Sequence, residues 1–232
     1  MLRFALAFAA LLSAAPVAAQ VVVLDEGTFT HSIAGTRVGR EDFSVRAVRG
    51  GGSVNLVAQA NVLNGEQRRT IALNTDSAGA PTRFQLEVRD ATVIVSTVVG
   101  ERDRSSWLGR IVTGPRESGR EFRLDARTFV AEPGVVHHLW FVLRFGEGAP
   151  AVLFTPSANT TDTVQLVAGR PDSVQIGQRS MPAVRWELRD AADGSILWEF
   201  WADGAGRLLR ARHPASDLNA LRDDPPAETT GR

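Results

Sequence analysis

The feature that most constrains this chain is a two-residue alternation of apolar and polar side chains, repeated in short runs and punctuated by turns. Val54, Leu56, Ala58, Ala60 and Val62 occupy every second position, and Asn64-Gly65, a favoured hairpin dipeptide, follows. Phe84, Leu86 and Val88 alternate with Arg83, Gln85, Glu87 and Arg89. Val184, Trp186 and Leu188 do the same, Asp193-Gly194 turns, and Ile196 to Trp201 returns. Successive side chains of a strand point to opposite faces, so this period predicts strands with one buried and one wet face. The connections are a few residues long, which suits hairpins and excludes crossover helices. A dozen or so antiparallel strands must curl, close or split into two layers. The expected fold is therefore mainly β (β-rich α+β), a curled antiparallel sheet or half-barrel.

One stretch, 132–156, breaks the rhythm. Val135, Val136, Leu139, Trp140, Phe141, Val142 and Leu143 form a nearly unbroken apolar run. It predicts one short apolar plug helix near 134–145, packed on the concave face of the sheet. An extended return through Ala151-Val152-Leu153-Phe154 follows. Thr92 to Val99 is apolar on both faces and predicts a central strand or one covered on both sides. Val164–Val167 and Val174–Ile176 read as a hairpin across Gly169 to Asp172.

Domain organisation follows from length and composition. A chain of 232 residues suits one large β domain. Residues 1–19 read as a signal peptide: Arg3 as a short positive region, Phe4 to Ala15 as an apolar core, and small residues ahead of a cleavage near Ala19-Gln20. The expectation is a periplasmic or secreted protein with a single domain over 20–213 and no membrane span. Residues 214–232, rich in Asp, Ala, Pro and Thr, are expected to fray, with a brief helix at 216–222 as an alternative.

Several chemistries are excluded by what is missing. The 26 basic residues balance 26 acidic ones, so the basic excess of a nucleic-acid binder is absent. All the basic residues are Arg, which rules out lysine chemistry, and zero Cys rules out thiol catalysis, disulfides and thiolate metal sites. No G-x-S-x-G elbow occurs, and Gly50-Gly51-Gly52 lacks the rest of a phosphate cradle.

The remaining candidates are few. His137 and His138 are adjacent and so lie about 100° apart on a helix, not on one face as an i,i+4 chelating pair would. They are expected at the rim of the plug, with Glu132 upstream. His31 and His213 read as isolated residues. The acidic pairs Asp25-Glu26, Glu41-Asp42 and Asp223-Asp224 read as solvated surface. Trp198 and Trp201 are three apart, so on a regular strand they face opposite sides. Arg207, Arg210 and Arg212 fit a rim for an anionic head group or charges that protect an edge strand.

The curved strands, the apolar plug and a closing meander ending Asp203-x-x-Gly206-Arg207-Leu208-Leu209-Arg210-Ala211-Arg212-His213-Pro214 together resemble the periplasmic lipoprotein-carrier-like (LolA-like half-barrel) superfamily and related exported β-rich families. That resemblance implies a half-barrel closed by helices around an apolar cavity. The chain departs from it in having one plug helix and no N-terminal helix, and it transfers no binding residue.

The leading expectation is a non-catalytic binding or carrier-like protein with an apolar cavity for a lipid or other hydrophobic ligand. The cavity candidates are Leu139, Trp140, Phe141, Leu143, Phe154, Trp186, Trp198 and Trp201, with His137, His138, Arg207 and Arg210 at the rim. No metal, no cofactor and no nucleic acid is expected. Two alternatives stay open: a cell-envelope interaction or scaffold protein with a filled core, and a hydrolase whose site involves His137 and Glu132.

Overall fold

The structure, a computed structural model, describes residues 20–227. The expected leader at 1–19 and the tail residues 228–232 lie outside the described residues. The chain runs through β1 (Gln20–Ile33), β2 (Thr36–Gly50), β3 (Ser53–Asn64), β4 (Gln67–Thr75), β5 (Pro81–Asp90), β6 (Val93–Asp103), β7 (Ser106–Thr113) and β8 (Arg116–Arg123). It continues through β9 (Thr128–Val130), α1 (Leu139–Val142) and β10 (Pro150–Thr155). The last stretch holds β11 (Thr160–Ile176), β12 (Arg179–Asp190), β13 (Ile196–Ala202), β14 (Leu208–His213) and β15 (Leu218–Arg222).

Among the described residues these strands form one curled sheet in the order β8-β7-β6-β5-β4-β3-β2-β1-β15-β14-β13-β12-β11-β10-β9. Every neighbouring pair is antiparallel except β9 with β10, which is parallel because the plug segment carries the chain back between them. The curl brings the two ends of the sheet together: β9 touches β5, and Trp107 of β7 meets Phe154 of β10 edge-on, with ring centroids 5.5 Å apart. The expected half-barrel with a single short plug helix is what the chain forms.

The alternation is legible strand by strand. Phe43, Val45 and Ala47 of β2, Leu56, Ala58, Ala60 and Val62 of β3, and Ile71 and Leu73 of β4 all face inward and are buried. The β3–β4 loop is Gly65-Glu66, with positive φ at Gly65 alone. That is the pattern of a II′ turn, in place of the I′ turn that Asn64-Gly65 predicts. Gly100 has a packing reason: a Cβ there would lie 2.1 Å from the Trp107 ring, so the indole sits over bare backbone.

Two expectations are corrected. The segment after Pro214 does not fray: a 3-10 turn leads into β15, which pairs with both β1 and β14. Its short Leu218, Ala220, Arg222 alternation fills a gap in the middle of the sheet, where pairing on both sides outweighs a polar composition. The hairpin expected across Gly169 to Asp172 is instead one long strand, β11, with a bulge between Ala168 and Pro171. A Cβ on Gly169 would collide with the Arg185 carbonyl, so glycine permits the bulge. Within Thr92 to Val99, the residues from Val93 onward fall on β6, which is an inner strand paired with β5 and β7, although Val93, Ile94 and Val99 are exposed.

The bulge shifts the phase of β11. Val164 and Leu166 face the main interior, whereas Val174 and Ile176 join Ala183, Trp201 and Leu209 in a second, smaller apolar cluster. Trp198 belongs to the main interior and Trp201 to the second cluster, where its Nε1 donates to Asp172 at 2.7 Å. The opposite-face reading of these two tryptophans holds, and both faces are covered.

The plug is shorter than expected. Residues 134–138 turn instead of coiling, α1 covers four residues, and a 3-10 turn from Leu143 to Phe145 ends the segment. Gly134 has φ +73°. The N–H groups of Val136 and His137 are taken by a side chain from the sheet, which sets the path of the chain before the first helical turn.

Candidate functional site

Two buried regions of the interior carry polar chemistry: a carboxylate that fastens the plug, and a chamber beside it.

The carboxylate is Glu41. It stands on β2 in register with Phe43, Val45 and Ala47, so the same alternation that builds the core turns it inward. It is fully buried. Its oxygens accept from the N–H of Val136 and the N–H of His137, each at 2.8 Å, and Oε1 lies 2.8 Å from His137 Nδ1. His31 Nε2, from β1, approaches Oε2 at 3.5 Å. Burial alone would raise this carboxyl, but the bond with His137 and the closeness of His31 hold it well below the usual carboxylate range. The ionised form is thus committed to holding the plug against the sheet.

The neighbouring rings complete the fastening. Phe43 stacks on Phe29 at 5.0 Å and on His137 at 6.0 Å. His138 lies 4.4 Å from the His137 ring, and its Nδ1 accepts from the N–H of Glu132 at 3.3 Å. Burial, with His137 beside it, pushes the His138 imidazole well below its ordinary value, so it stays neutral. Behind Phe43 a second buried pair joins the ends of the chain: Arg222 of β15 donates to Asp25 of β1 at 2.8 Å and to the Leu208 carbonyl at 3.0 Å. Burial raises the Asp25 carboxyl, and Arg222 offsets part of that rise.

The chamber has a volume of about 440 Å³. Ile33, Val38 and Val62 of β1 to β3 form one wall. Leu153 of β10, Leu197 and Trp198 of β13, and Leu218 of β15 form the other, and Glu132, Pro133 and Gly134 of the plug segment close one side. Asn64, Gln67, Arg69 and Asp162 add polar groups to the lining. Arg69 is fixed there by donating to the Pro133 carbonyl at 2.6 Å and to Gln67 at 3.0 Å. His31, Glu132 and Thr155 are buried polar residues that also line it. Both oxygens of Glu132 are engaged by Ser157, through its N–H at 2.8 Å and its hydroxyl at 2.6 Å. Burial nevertheless raises the Glu132 carboxyl above its ordinary value.

The residues singled out in the sequence scatter. Trp198 lines the chamber, with its ring 4.8 Å from His213. Leu139 and Phe141 are buried inside the plug and line neither the chamber nor the hollow that Trp140 and Leu143 border. Trp140 and Leu143 border a shallower hollow at the other end of the plug. Phe154 is buried against Trp107, Trp186 is half-buried on the edge of the main cluster, and Trp201 lies in the second cluster. His137 and His138, expected at a rim, are fully buried. Arg207 pairs with Asp203, and Arg210 lies over the Trp201 ring at 4.9 Å while bonding Asn219, so neither lines the chamber.

Two contributors read as isolated or solvated in the sequence, His31 and Glu41, and a third, Arg69, carries no signal there. Glu41 is a correction with a plain cause. Neighbours on a strand point to opposite faces, so one member of Glu41-Asp42 had to point in, and the phase of Phe43 and Val45 identifies which. The same holds for Asp25 in Asp25-Glu26.

No family model matches the chain, and no curated protein matches it. Among solved structures it is similar to the crystal structure of a β-barrel-like protein of the Domain of Unknown Function DUF1849 from Brucella abortus. The match has 14% sequence identity and a TM-score of 0.51, covering 88% of this chain and 96% of that one. At that identity the likeness concerns the fold, and it is the β-barrel-like fold that the two proteins share.

Proposed function

We propose that this is an exported, non-catalytic, carrier-like binding protein of the cell envelope, and that its chamber takes a lipid or another hydrophobic small molecule. The observation that carries the reading is the chamber itself: about 440 Å³ between aliphatic walls and Trp198, within the roughly 300–1,000 Å³ of small-molecule sites. Apolar area left unfilled in a protein interior forgoes contacts that a ligand would supply, about 0.8 kcal/mol per methylene buried. Export follows from the leader-like sequence of residues 1–19, and carriage from the resemblance to lipoprotein-carrier architecture. The state of Glu41 agrees with a non-catalytic role. Its lone pairs are occupied and its proton affinity is lowered, which makes it a weak base.

Native mass spectrometry of protein purified from its own envelope fraction, paired with binding of an apolar fluorescent probe, tests this. Co-purified apolar molecules, and probe binding abolished by Val62→Trp, are expected. A folded protein that carries nothing and binds no probe would remove the reading.

A second reading, an interaction protein with no ligand, is favoured by one observation: Leu139, Phe141 and Val142 of the plug are fully buried. Affinity capture from envelope extracts that recovers a protein partner equally well with Val62→Trp supports it over the first.

A further inference from the structure

Within the chamber, one side chain is both buried and unsatisfied. His31 is 3% exposed, lines the cavity, and makes no well-formed hydrogen bond with the protein. Its nearest polar neighbour, Glu41 Oε2, is 3.5 Å away, beyond good hydrogen-bond geometry. A buried polar group without a partner is costly, and native proteins leave few of them. The buried carboxylates facing this region are engaged, Glu132 by Ser157 and Glu41 by the plug N–H groups and His137; the unpartnered Nε2 atoms of His137 and His138 belong to residues that do not line the chamber. Among the residues that line the chamber, the buried side-chain nitrogen left without a partner is therefore that of His31, with the Thr155 hydroxyl also in the lining.

The surrounding charge selects what can fill it. Glu41 and Glu132 are the buried acidic groups there, beside His31, His137 and His138; Asp162 and Arg69 also line the chamber, with Arg69 already donating to Gln67 and the Pro133 carbonyl. A ligand carboxylate seated at His31 would stand beside one committed carboxylate and near a second, with like-charge repulsion in a poorly screened interior. A ligand ammonium would meet carboxylates whose oxygens are already engaged, and would lose its own hydration on entering. A neutral hydroxyl pays neither cost, and an imidazole can donate to it or accept from it according to tautomer.

We propose that the ligand of this chamber is an uncharged amphiphile, an apolar body ending in a hydroxyl group that hydrogen-bonds to His31. The inference rests on the chamber being a binding site for apolar molecules and adds the chemistry of the polar end.

The test measures binding of four ten-carbon probes to the mature protein at pH 7.5 by competition with an apolar fluorophore: 1-decanol, decyl methyl ether, decanoate and decylamine. Decanol is expected to bind about fivefold to tenfold more tightly than the ether, the value of one net hydrogen bond, and more tightly than either charged probe. His31→Phe is expected to make decanol and the ether equal while both still bind. His31→Gln, which keeps a donor and an acceptor, is expected to retain part of the preference. Equal binding of decanol and ether by the native protein overturns the hydroxyl assignment but leaves the apolar site standing, as does decanoate binding best. A preference that survives His31→Phe overturns the role of His31. Binding of none of the four sinks the apolar site, and this inference with it.

Discussion

The interior of this protein has a packed half and an open half, built from the same strands. On the plug side, Leu139, Phe141, Phe154 and Trp107 are fully buried, and the Glu41 carboxylate among them is matched by two backbone N–H groups and His137. A short distance along β1 to β3, the inward residues Ile33, Val38 and Val62 face space instead. The strands are continuous between the two regions, so the difference lies in what the plug segment supplies. It delivers bulky side chains to one half and only Glu132, Pro133 and Gly134 to the other. A curled sheet is wider than its own side chains can fill, and a plug of four helical residues fills part of it.

The sharpest way to break the comparison is to empty the packed half. Phe141→Ala is expected to cost about 3–5 kcal/mol, as buried aromatic truncations do, measured as a lower urea midpoint. Arg222→Met is expected to cost a similar amount, about 3–5 kcal/mol, because it strands Asp25 as an unpaired buried carboxylate. Adding Asp25→Leu to that variant should recover much of the loss. Recovery separates a charge effect from a packing effect, and its absence would mean that the bonds from Arg222 to the Leu208 and Glu26 carbonyls dominate. Gly100→Ala drives a methyl group into the Trp107 ring and is expected to cost about 1–3 kcal/mol in the same assay.

Acid should act on the packed half with a definite sign. His138 is neutral in the fold with its affinity for protons well below the ordinary 6.5. The unfolded chain therefore takes up a proton first, and stability falls as pH drops below about 6.5. Glu41 is lowered from 4.5, so its contribution is complete above that value and is lost on further acidification. Glu132 and Asp25 are raised, and their protonation in the fold acts the other way. Urea midpoints across pH 7.5 to 4.5 should therefore slope downward in the native protein and more gently in His138→Leu. Equal slopes would assign the acid limb to another group.

The smallest effect is expected in the open half. Leu197→Ala enlarges a space that is already open to solvent and should cost only about 1 kcal/mol, while weakening binding of an apolar probe. A loss as large as that of Phe141→Ala would mean that the chamber wall is as tightly packed as the plug.

The strand pattern of β2 to β5 was legible because each strand has one wet face, and a period of two is then written directly into the residues. β15 was not, because its position between β1 and β14 makes five residues a strand that their composition does not announce. The Gly169 bulge was hidden for a related reason. A local turn signal looks the same whether the chain reverses there or only shifts phase, and the partner strand decides. Of the candidate site residues, Trp198 was found through its aromatic bulk, whereas His31, Glu41 and Arg69 carry no local mark of convergence.

The amino-acid sequence alone determined the antiparallel β class, the number of faces each strand presents, the single apolar plug and the absence of thiol and lysine chemistry. Those properties reside in periodicity and residue type, which need no knowledge of neighbours far along the chain. The tertiary structure decided which side of the plug is full and which is open, and that Glu41 meets Val136 and His137, 95 and 96 positions further along the chain. Closure of the curled sheet fixes those distances, and no stretch of the chain contains that information by itself.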